Sequence, residues 1–274
     1  MGRLRRGSYP SATLQIIDPV FYGSIVGGVL FVAILACLAL GRWLGHHMHA
    51  RTGAPMATIG SLETAVFGLL GLLIAFTFSG ALSRFDTRRV QAVDEANAIG
   101  TAYLRIDLVP AAAQPKLRDT MRAYTDARIA TYKKLPDIAA ARAEVERSQA
   151  LQSEIWQQAV AATQLKDARL GSDILLLPAV NAMFDISSVR LAATQIHPPT
   201  IVYIMLIALA LASALLAGYQ SAADKDYDWI HKLGFAAIVS LTVYVILDIE
   251  YPRLGLVRLD AIDQLLVDVR ASMK

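Results

Sequence analysis

Residues 59–82 read IGSLETAVFGLLGLLIAFTFSGAL, and this stretch decides the fold. It is long enough to cross the roughly 30 Å hydrocarbon core of a bilayer as one helix. Because no proline occurs between Ala57 and Val109, the helix can continue into the charged sequence that follows. At about 1.5 Å per residue, about fifty residues reach roughly 75 Å. The stretch therefore predicts a membrane helix that projects far into water, as a pore wall or stalk does.

The overall composition is that of a membrane protein with a sizeable aqueous part. Of the 274 residues, 55% are hydrophobic and 18% are charged, which is too apolar for an ordinary soluble domain and too charged for a wholly embedded chain. The net charge is only +3, and the arginines are scattered among acidic residues, so a nucleic-acid-binding surface is not expected. The single cysteine, Cys37, excludes an intrachain disulfide.

Four apolar stretches have about the length of a membrane helix. They cover residues 20–40, 59–82, 200–217 and 233–249. Arginines flank them mainly on one side, at Arg3, Arg5, Arg6, Arg84, Arg88, Arg89, Arg190, Arg253 and Arg258. The positive-inside rule then puts both termini and the long middle region in the cytoplasm.

The region between the second and third spans reads helical throughout, with predicted helices at 83–108, 115–134, 137–169 and 172–196. No β pattern is present. We therefore predict an all-α integral membrane protein with four membrane helices and an inserted cytosolic helical domain. The predicted units are residues 1–82 with the first two membrane helices, 83–197 for the cytosolic domain, 198–250 with the last two membrane helices, and a cytosolic segment at 251–274.

Motifs of catalysis and cofactor binding are missing from the sequence. It contains no G-x-S-x-G, no Gly-rich phosphate loop, no H-E-x-x-H and no C-x-x-C. We predict no enzyme activity, no cofactor and no metal site. His46 and His49 could share a helix face as metal ligands, but with His47 they lack a neighbouring cysteine or carboxylate, and an interfacial polar loop is the preferred interpretation.

One side of the second span carries a stripe of apolar and small polar residues. Winding the helix at about 100° per residue groups them within about 60°: Ala65, Leu72, Phe76, Ser79 and Ser83, with Gly68 and Leu69 on the flanks, continuing through Val90, Asp94 and Asn97. Around a symmetry axis, Leu72 and Phe76 would form an apolar neck, and the serines and Asp94 would line a wetter vestibule. The alternative is an ordinary packing face between neighbouring helices.

Three glycines beside this stripe, Gly68, Gly71 and Gly80, permit close approach of another helix. Small residues have this role in membrane helices, so tight contact with other copies is expected.

Glu63 lies about one turn inside the outer end of the second span. Carboxylates in membranes are costly and are often functional, which makes Glu63 a candidate for an outer ion entrance. Because winding places it away from the Leu72 and Phe76 face, an ion pair with Arg42 or Arg51 is the alternative.

Several segments together resemble a known family. The longest are Phe76-x7-Arg84-Phe85 followed by Arg88-Arg89, and Glu250-Tyr251-Pro252-Arg253-Leu254-Gly255 after the fourth span. Shorter ones are Asp94-Glu95-Ala96, Asn181-Ala182-Met183-Phe184-Asp185 with Arg190, and His197-Pro198-Pro199. The chain, from about residue 59 to 266, resembles the bacterial bestrophin-like domain proteins, which are relatives of bestrophin ion channels.

The resemblance implies a homopentamer in the bacterial inner membrane with both termini cytoplasmic and a helical cytosolic domain around a central pore. It places Phe76 and Leu72 in the neck, with Gly68 where another bulky apolar residue would be expected. It also marks a post-membrane motif that includes Asp248, Glu250, Pro252 and Gly255. Calcium-controlled bestrophins have an acidic run after that motif, and this chain does not, so calcium gating is not expected.

The leading functional hypothesis is an oligomeric channel that conducts small inorganic ions passively. Its partners would be other copies of the chain, membrane lipid and the ions. A proton-conducting motor subunit resembling the TolQ, ExbB and MotA group is an alternative, although the apolar Leu72 and Phe76 argue against it. A non-conducting scaffold or sensor, binding a partner through residues 137–169, is another. The stripe offers hydroxyls and a carboxylate, so it does not decide between cations and anions.

Overall fold

The computed structural model describes residues 19–52, 60–222, 229–252 and 256–274, and within these ranges it has eight α-helices and no strand. The helices are α1 (Pro19–Thr52), α2 (Gly60–Leu104), α3 (Gln114–Lys133), α4 (Ile138–Thr163), α5 (Ser172–Ala193), α6 (Thr200–Gln220), α7 (Trp229–Glu250) and α8 (Asp260–Ser272). A 3-10 turn at Arg105–Leu108 follows α2. The predicted all-α class is confirmed. The N-terminal arginines, Arg253 and Gly255 lie outside the described residues.

In the described part of the chain, five helices are long and apolar enough to cross a membrane: α1, α2, α5, α6 and α7. Four of them contain the apolar stretches that the sequence marked as spans. The fifth, α5, corresponds to the predicted cytosolic helix at 172–196, and its length and composition alone also permit a span. The four-span layout therefore stays a prediction.

Buried apolar side chains form two clusters along the length of α2. The proximal core joins the first half of α2 to α1, α6 and α7, through residues such as Leu70, Ile34, Leu206, Val239 and Ile246. The distal core joins the second half of α2 to α3, α4, α5 and α8, through residues such as Ile99, Met121, Ile155, Met183 and Leu266. The helix α2 is thus the element that both cores share.

The closest helix crossing lies between α1 and α6, at two glycines that the sequence analysis did not single out. A Cβ atom added to Gly41 would lie 2.1 Å from the Leu215 carbonyl oxygen, and one added to Gly218 would lie 2.2 Å from the Leu38 carbonyl oxygen. Any side chain at either position would clash with backbone. The two glycines let the backbones of α1 and α6 touch, as small residues do in membrane helix pairs.

Helix α1 continues past its predicted end near Gly41. Its last turns contain His46, His47 and His49, and it ends at Thr52, so the prediction of a polar loop for these histidines is wrong. Trp43 stacks on His47 with ring centroids 5.4 Å apart. The glycine did not end the helix because it is used for packing against α6.

Helices α3, α4 and α5 begin within one residue of their predicted starts and end before their predicted ends. Pro115 occupies the first turn of α3, and Asp137 caps α4 by accepting a hydrogen bond of 3.0 Å from the Ala140 backbone N–H. Helix α4 ends at Thr163 rather than Arg169. The turn before α5 uses Gly171 at φ +79°, a conformation that favours glycine. Helix α8, which was not predicted, contributes Leu266 to the distal core.

Candidate functional site

Helix α2 packs one side against the rest of the chain and leaves the opposite side exposed. Its buried side carries Leu70, Ala81, Arg88, Glu95 and Ile99, which share one side when the helix is wound at about 100° per residue. The residues predicted to line a pore lie on the other side. The division holds along the whole helix, through the proximal core and through the distal core.

Every residue of the predicted neck and vestibule is exposed in the single chain. These are Ala65, Gly68, Leu69, Leu72, Phe76, Ser79, Ser83, Asp94 and Asn97. Phe76 is 67% exposed and Leu72 is 51% exposed, so no helix in the described part of the subunit covers them. A Cβ atom at Gly68 or Gly71 would meet nothing within 4 Å, which leaves that flank open to another helix.

Glu63 lies on the buried side of α2, as its winding predicted, and only 8% of it is exposed. In the single chain it faces away from Leu72 and Phe76. Among the described residues the structure forms no ion pair between Glu63 and either Arg42 or Arg51.

Exposed apolar residues continue along α2 beyond its apolar span. From Leu82 to Leu104 the helix extends by about 33 Å, at roughly 1.5 Å per residue. Leu104 is 70% exposed and Val90 is 59% exposed. At the far end, Arg105 Nη1 donates a hydrogen bond of 2.6 Å to the Leu175 carbonyl oxygen. This bond ties the start of α5, where Ile174 is 73% exposed, to the end of α2.

A buried carboxylate, Glu250 at the end of α7, holds α2 where it leaves the proximal core. Arg84 Nε lies 2.9 Å from Glu250 Oε2 and 3.0 Å from Oε1, and Arg84 Nη2 lies 2.7 Å from Oε2. Arg88 Nη2 lies 3.6 Å from Oε1, and His197 Nδ1 lies 3.0 Å from the same oxygen. Glu250 is fully buried, so its charge depends on these partners.

Arg88 and His197 extend this cluster to the end of α5. Arg88 donates to the carbonyl oxygens of Ala193 at 3.3 Å and Ile196 at 3.2 Å, which helps to satisfy the free carbonyl groups at a helix C-terminus. His197 stacks on Tyr251 with ring centroids 4.5 Å apart. The end of α5, the start of α6 and the end of α7 are therefore all fastened to α2.

The post-membrane motif begins with a second carboxylate of α7. Asp248 accepts backbone hydrogen bonds from Leu256 at 2.9 Å and from Val257 at 2.8 Å. These bonds hold Leu256 and Val257 against the end of α7. Asp248 and Glu250 are both buried, and in the single chain their contacts position helices. Gly255, the remaining residue of the motif, lies outside the described residues.

A second buried cluster surrounds Glu95 in the distal core. Glu95 Oε1 accepts a hydrogen bond of 2.5 Å from Arg128 Nε, and Oε2 accepts one from Arg190 Nη1. Arg190 also lies 3.4 Å from Asp263 Oδ1 on α8. The Tyr132 ring lies under both guanidinium groups, 4.2 Å from Arg190 and 5.3 Å from Arg128. This cluster binds α2, α3, α5 and α8 together.

Charge pairing outweighs burial for these groups, which lie well beyond Leu82. Burial raises the pKa of the Glu95 carboxyl, but Arg128 and Arg190 lower it more, and the pKa falls below the ordinary glutamate value. Burial lowers the pKa of Arg128, whereas Tyr132 and Glu95 raise it, and the net change is upward. The pairing therefore favours the carboxylate form of Glu95 and the charged form of Arg128.

The sequence analysis quoted Arg84, Arg88, Glu95, Arg190 and His197 only as parts of short motifs and did not pair them. Glu95 and Arg190 are 95 residues apart, and Arg84 and Glu250 are 166 apart, so no local pattern connects the partners. One sequence feature could have indicated that these residues need buried partners. Arg88 and Glu95 are seven residues apart on the side of α2 opposite the stripe, and charges on a buried face require partners.

Comparison with known proteins identifies one family. The model of the Bestrophin-like domain matches residues 20–261, nearly the whole chain. No curated protein matches the sequence, and no solved structure matches the fold.

Proposed function

We propose that this protein, which belongs to the bestrophin-like domain family, is an oligomeric channel of the bacterial inner membrane that conducts small inorganic ions passively. The exposed face of α2 lines the axial pore. The observation that supports this most is the continuity of that face, which runs from Ala65 in the apolar span to Asn97 far beyond it. Other copies of the chain, membrane lipid and the permeating ions are the proposed partners.

The part of α2 that lies beyond the apolar span supports the proposed self-association. Lipid can cover Phe76 or Leu72, but it does not reach Leu104, which is 70% exposed. Exposed apolar area in water is unfavourable by about 25 cal/mol per Å², and contiguous patches of it mark interaction sites. A ring of identical subunits covers such a patch on every copy. We propose five copies, because the resemblance to bestrophins implies a homopentamer.

Within the ring, Leu72 and Phe76 form the neck, and Gly68 and Leu69 line its outer side. An apolar constriction of this kind gates by excluding water. Ser79 and Ser83 follow at its inner end, and then Asp94 and Asn97 line the vestibule.

We assign the membrane spans to α1, α2, α6 and α7, with α5 in the cytosol. The support is the distal core, in which Met183 of α5 packs with Met121 of α3 and Ile155 of α4. Helices α3 and α4 carry many charged residues and have no apolar span, so their shared core belongs in water. Both termini are then cytoplasmic, in agreement with the positive-inside rule.

The test is single-channel recording of the purified oligomer in planar bilayers. We expect Phe76→Ala to raise the conductance several-fold, because it widens the narrowest apolar ring. Phe78→Ala is the matched control, since Phe78 lies two residues further along and about 200° around the helix, and it should leave conductance unchanged. A folded oligomer that is silent in both forms would contradict the channel and favour a scaffold.

A further inference from the structure

A cavity of about 460 Å³ lies inside the subunit, between α2, α3, α4, α5 and the segment that follows α7. This volume is in the range of small-molecule binding sites. Its lining includes the apolar residues Leu135, Ile138 and Val145, and the arginine side of the cavity is defined as Arg88, Arg128, Arg142 and Arg190. The cavity is separate from the exposed face of α2, because it lies on the buried side of that helix.

The charges around the cavity do not balance. The arginines that line it are Arg88, Arg128, Arg142 and Arg190, whereas Glu250 is the acidic residue in its wall. The carboxylates behind the wall, Glu95 and Asp263, are shared with Arg128 and Arg190, and Glu250 is shared with Arg84 as well as Arg88. The four arginines of the lining and Arg84, which lies outside it, therefore share three carboxylates, and the excess charge is positive.

Two polar side chains that line the cavity, Arg142 and Gln91, can form further ionic or hydrogen-bonding contacts. Arg142 is exposed on α4 and forms no ion pair with any side chain in the described ranges. The Gln91 side-chain oxygen is buried without a hydrogen-bond partner there, and rotating the amide would present its NH₂ group instead. A buried polar atom without a partner is unfavourable, so a bound group that supplies the partner is stabilised.

We propose that the cavity binds an amphipathic organic anion, with one carboxylate or phosphate group on an apolar body. The oxyanion contacts the arginine side, where guanidinium groups bind such groups with charge-assisted hydrogen bonds. The apolar body packs against Ile138, Leu135 and Val145. Two sources supply this chemistry: a soluble carboxylate of the cytosol, and an anionic lipid, since Tyr251 and Pro252 at the cavity adjoin the end of α7.

Titration calorimetry of the purified full-length protein in neutral detergent tests the proposal without depending on ion conduction. The probes are 4-phenylbutyrate, its uncharged amide, inorganic phosphate and dihexanoyl phosphatidic acid. We expect at least one amphipathic anion to bind, and the amide and inorganic phosphate to bind at least about tenfold more weakly. Displacement of phenylbutyrate by the phosphatidic acid would identify lipid as the source, and no displacement would identify a soluble carboxylate.

Two variants locate the binding site. Arg142→Ala should weaken binding of the anion about tenfold, and Arg147→Ala, on the same helix but outside the cavity, should not change it. Ile138→Ser should weaken the amphipathic anions. Both altered residues are partly exposed, so the variants should fold. The proposal is overturned if neither amphipathic anion binds, or if binding is the same in Arg142→Ala, Ile138→Ser and the wild type.

Discussion

Asp94 and Glu95 are consecutive residues of α2, and they lie in opposite environments. Glu95 is fully buried between Arg128 and Arg190, whereas Asp94 is exposed and forms no ion pair among the described side chains. The difference shows that one helix has two roles. Its buried side builds the subunit, and its exposed side is uncovered in the single chain, where the proposed channel needs contacts with other copies and with ions.

This comparison makes an experimental distinction possible. Substitutions on the buried side should reduce the stability of the subunit. Substitutions on the exposed side should change assembly or ion flow and leave the subunit folded.

The largest expected effect is that of Glu95→Gln. The substitution keeps the shape of the side chain but leaves buried Arg128 without a counter-charge and Arg190 with only the Asp263 carboxylate, 3.4 Å away. Breaking a buried ion pair in this way costs about 3–5 kcal/mol, which should appear as a large fall in the melting temperature. Asp94→Asn, at the neighbouring position, is the matched control and should melt like the wild type. Equal melting temperatures for wild type and Glu95→Gln would show that the cluster contributes nothing.

The stability difference between the wild type and Glu95→Gln should also depend on pH. Because the folded-state pKa of Glu95 is lowered, its stabilising contribution is complete above the ordinary glutamate pKa and disappears as the pH falls through the folded-state value. The stability difference between wild type and Glu95→Gln should therefore be constant near neutral pH and shrink in acid.

A smaller loss of stability is expected for Glu250→Gln. Arg88 is buried and loses a counter-charge, but Arg84 is partly exposed and water can solvate it, so the loss should be about 2 kcal/mol. Asp86→Asn breaks only an exposed pair with Arg89 and should have almost no effect. Thermal denaturation of the wild type, Glu250→Gln and Asp86→Asn ranks their stabilities. A larger loss of stability from Asp86→Asn than from Glu250→Gln would contradict the expected order.

On the exposed side, Leu104→Glu should shift the oligomer toward smaller species. Burying a leucine side chain contributes about 2 kcal/mol per subunit, and a carboxylate in the same contact is repelled by its copies. Light scattering on the detergent-solubilised protein measures the change. Ala150→Glu adds the same charge on the exposed side of α4 and should keep the full oligomer. An intact Leu104→Glu oligomer would place the subunit contact elsewhere.

The smallest effect is that of Asp94→Asn on ion preference. A ring of carboxylates in a vestibule attracts cations, so its removal should move the reversal potential in a salt gradient toward that of the anion. Glu146→Gln removes an exposed carboxylate of α4 and should leave the potential unchanged. If Asp94→Asn gives the wild-type potential, Asp94 is not in the ion path.

Local physics explains what the sequence made predictable. The helical period separates Phe76 and Leu72 from Leu70 without any tertiary information, and proline and Asp137 mark helix starts through their own backbone chemistry. Those predictions required only neighbours in the chain.

Other features depend on contacts between distant segments. The predicted first span ends at residue 40, whereas α1 continues to Thr52 and packs Gly41 against α6. The partners of Glu95 and Glu250 are brought together by the fold, and α8 is placed by the distal core it completes. None of these contacts leaves a short-range pattern in the chain.

The uninterrupted 45 residues of α2 have a mechanical consequence. Because no break separates the two cores, a rigid tilt of the helix about one end moves its other end sideways. At about 1.5 Å per residue it is roughly 68 Å long, so tilting it by about 5° about its membrane end displaces the far tip by about 6 Å. A small rotation near the bilayer is thereby converted into a large sideways movement at the opposite end of the subunit.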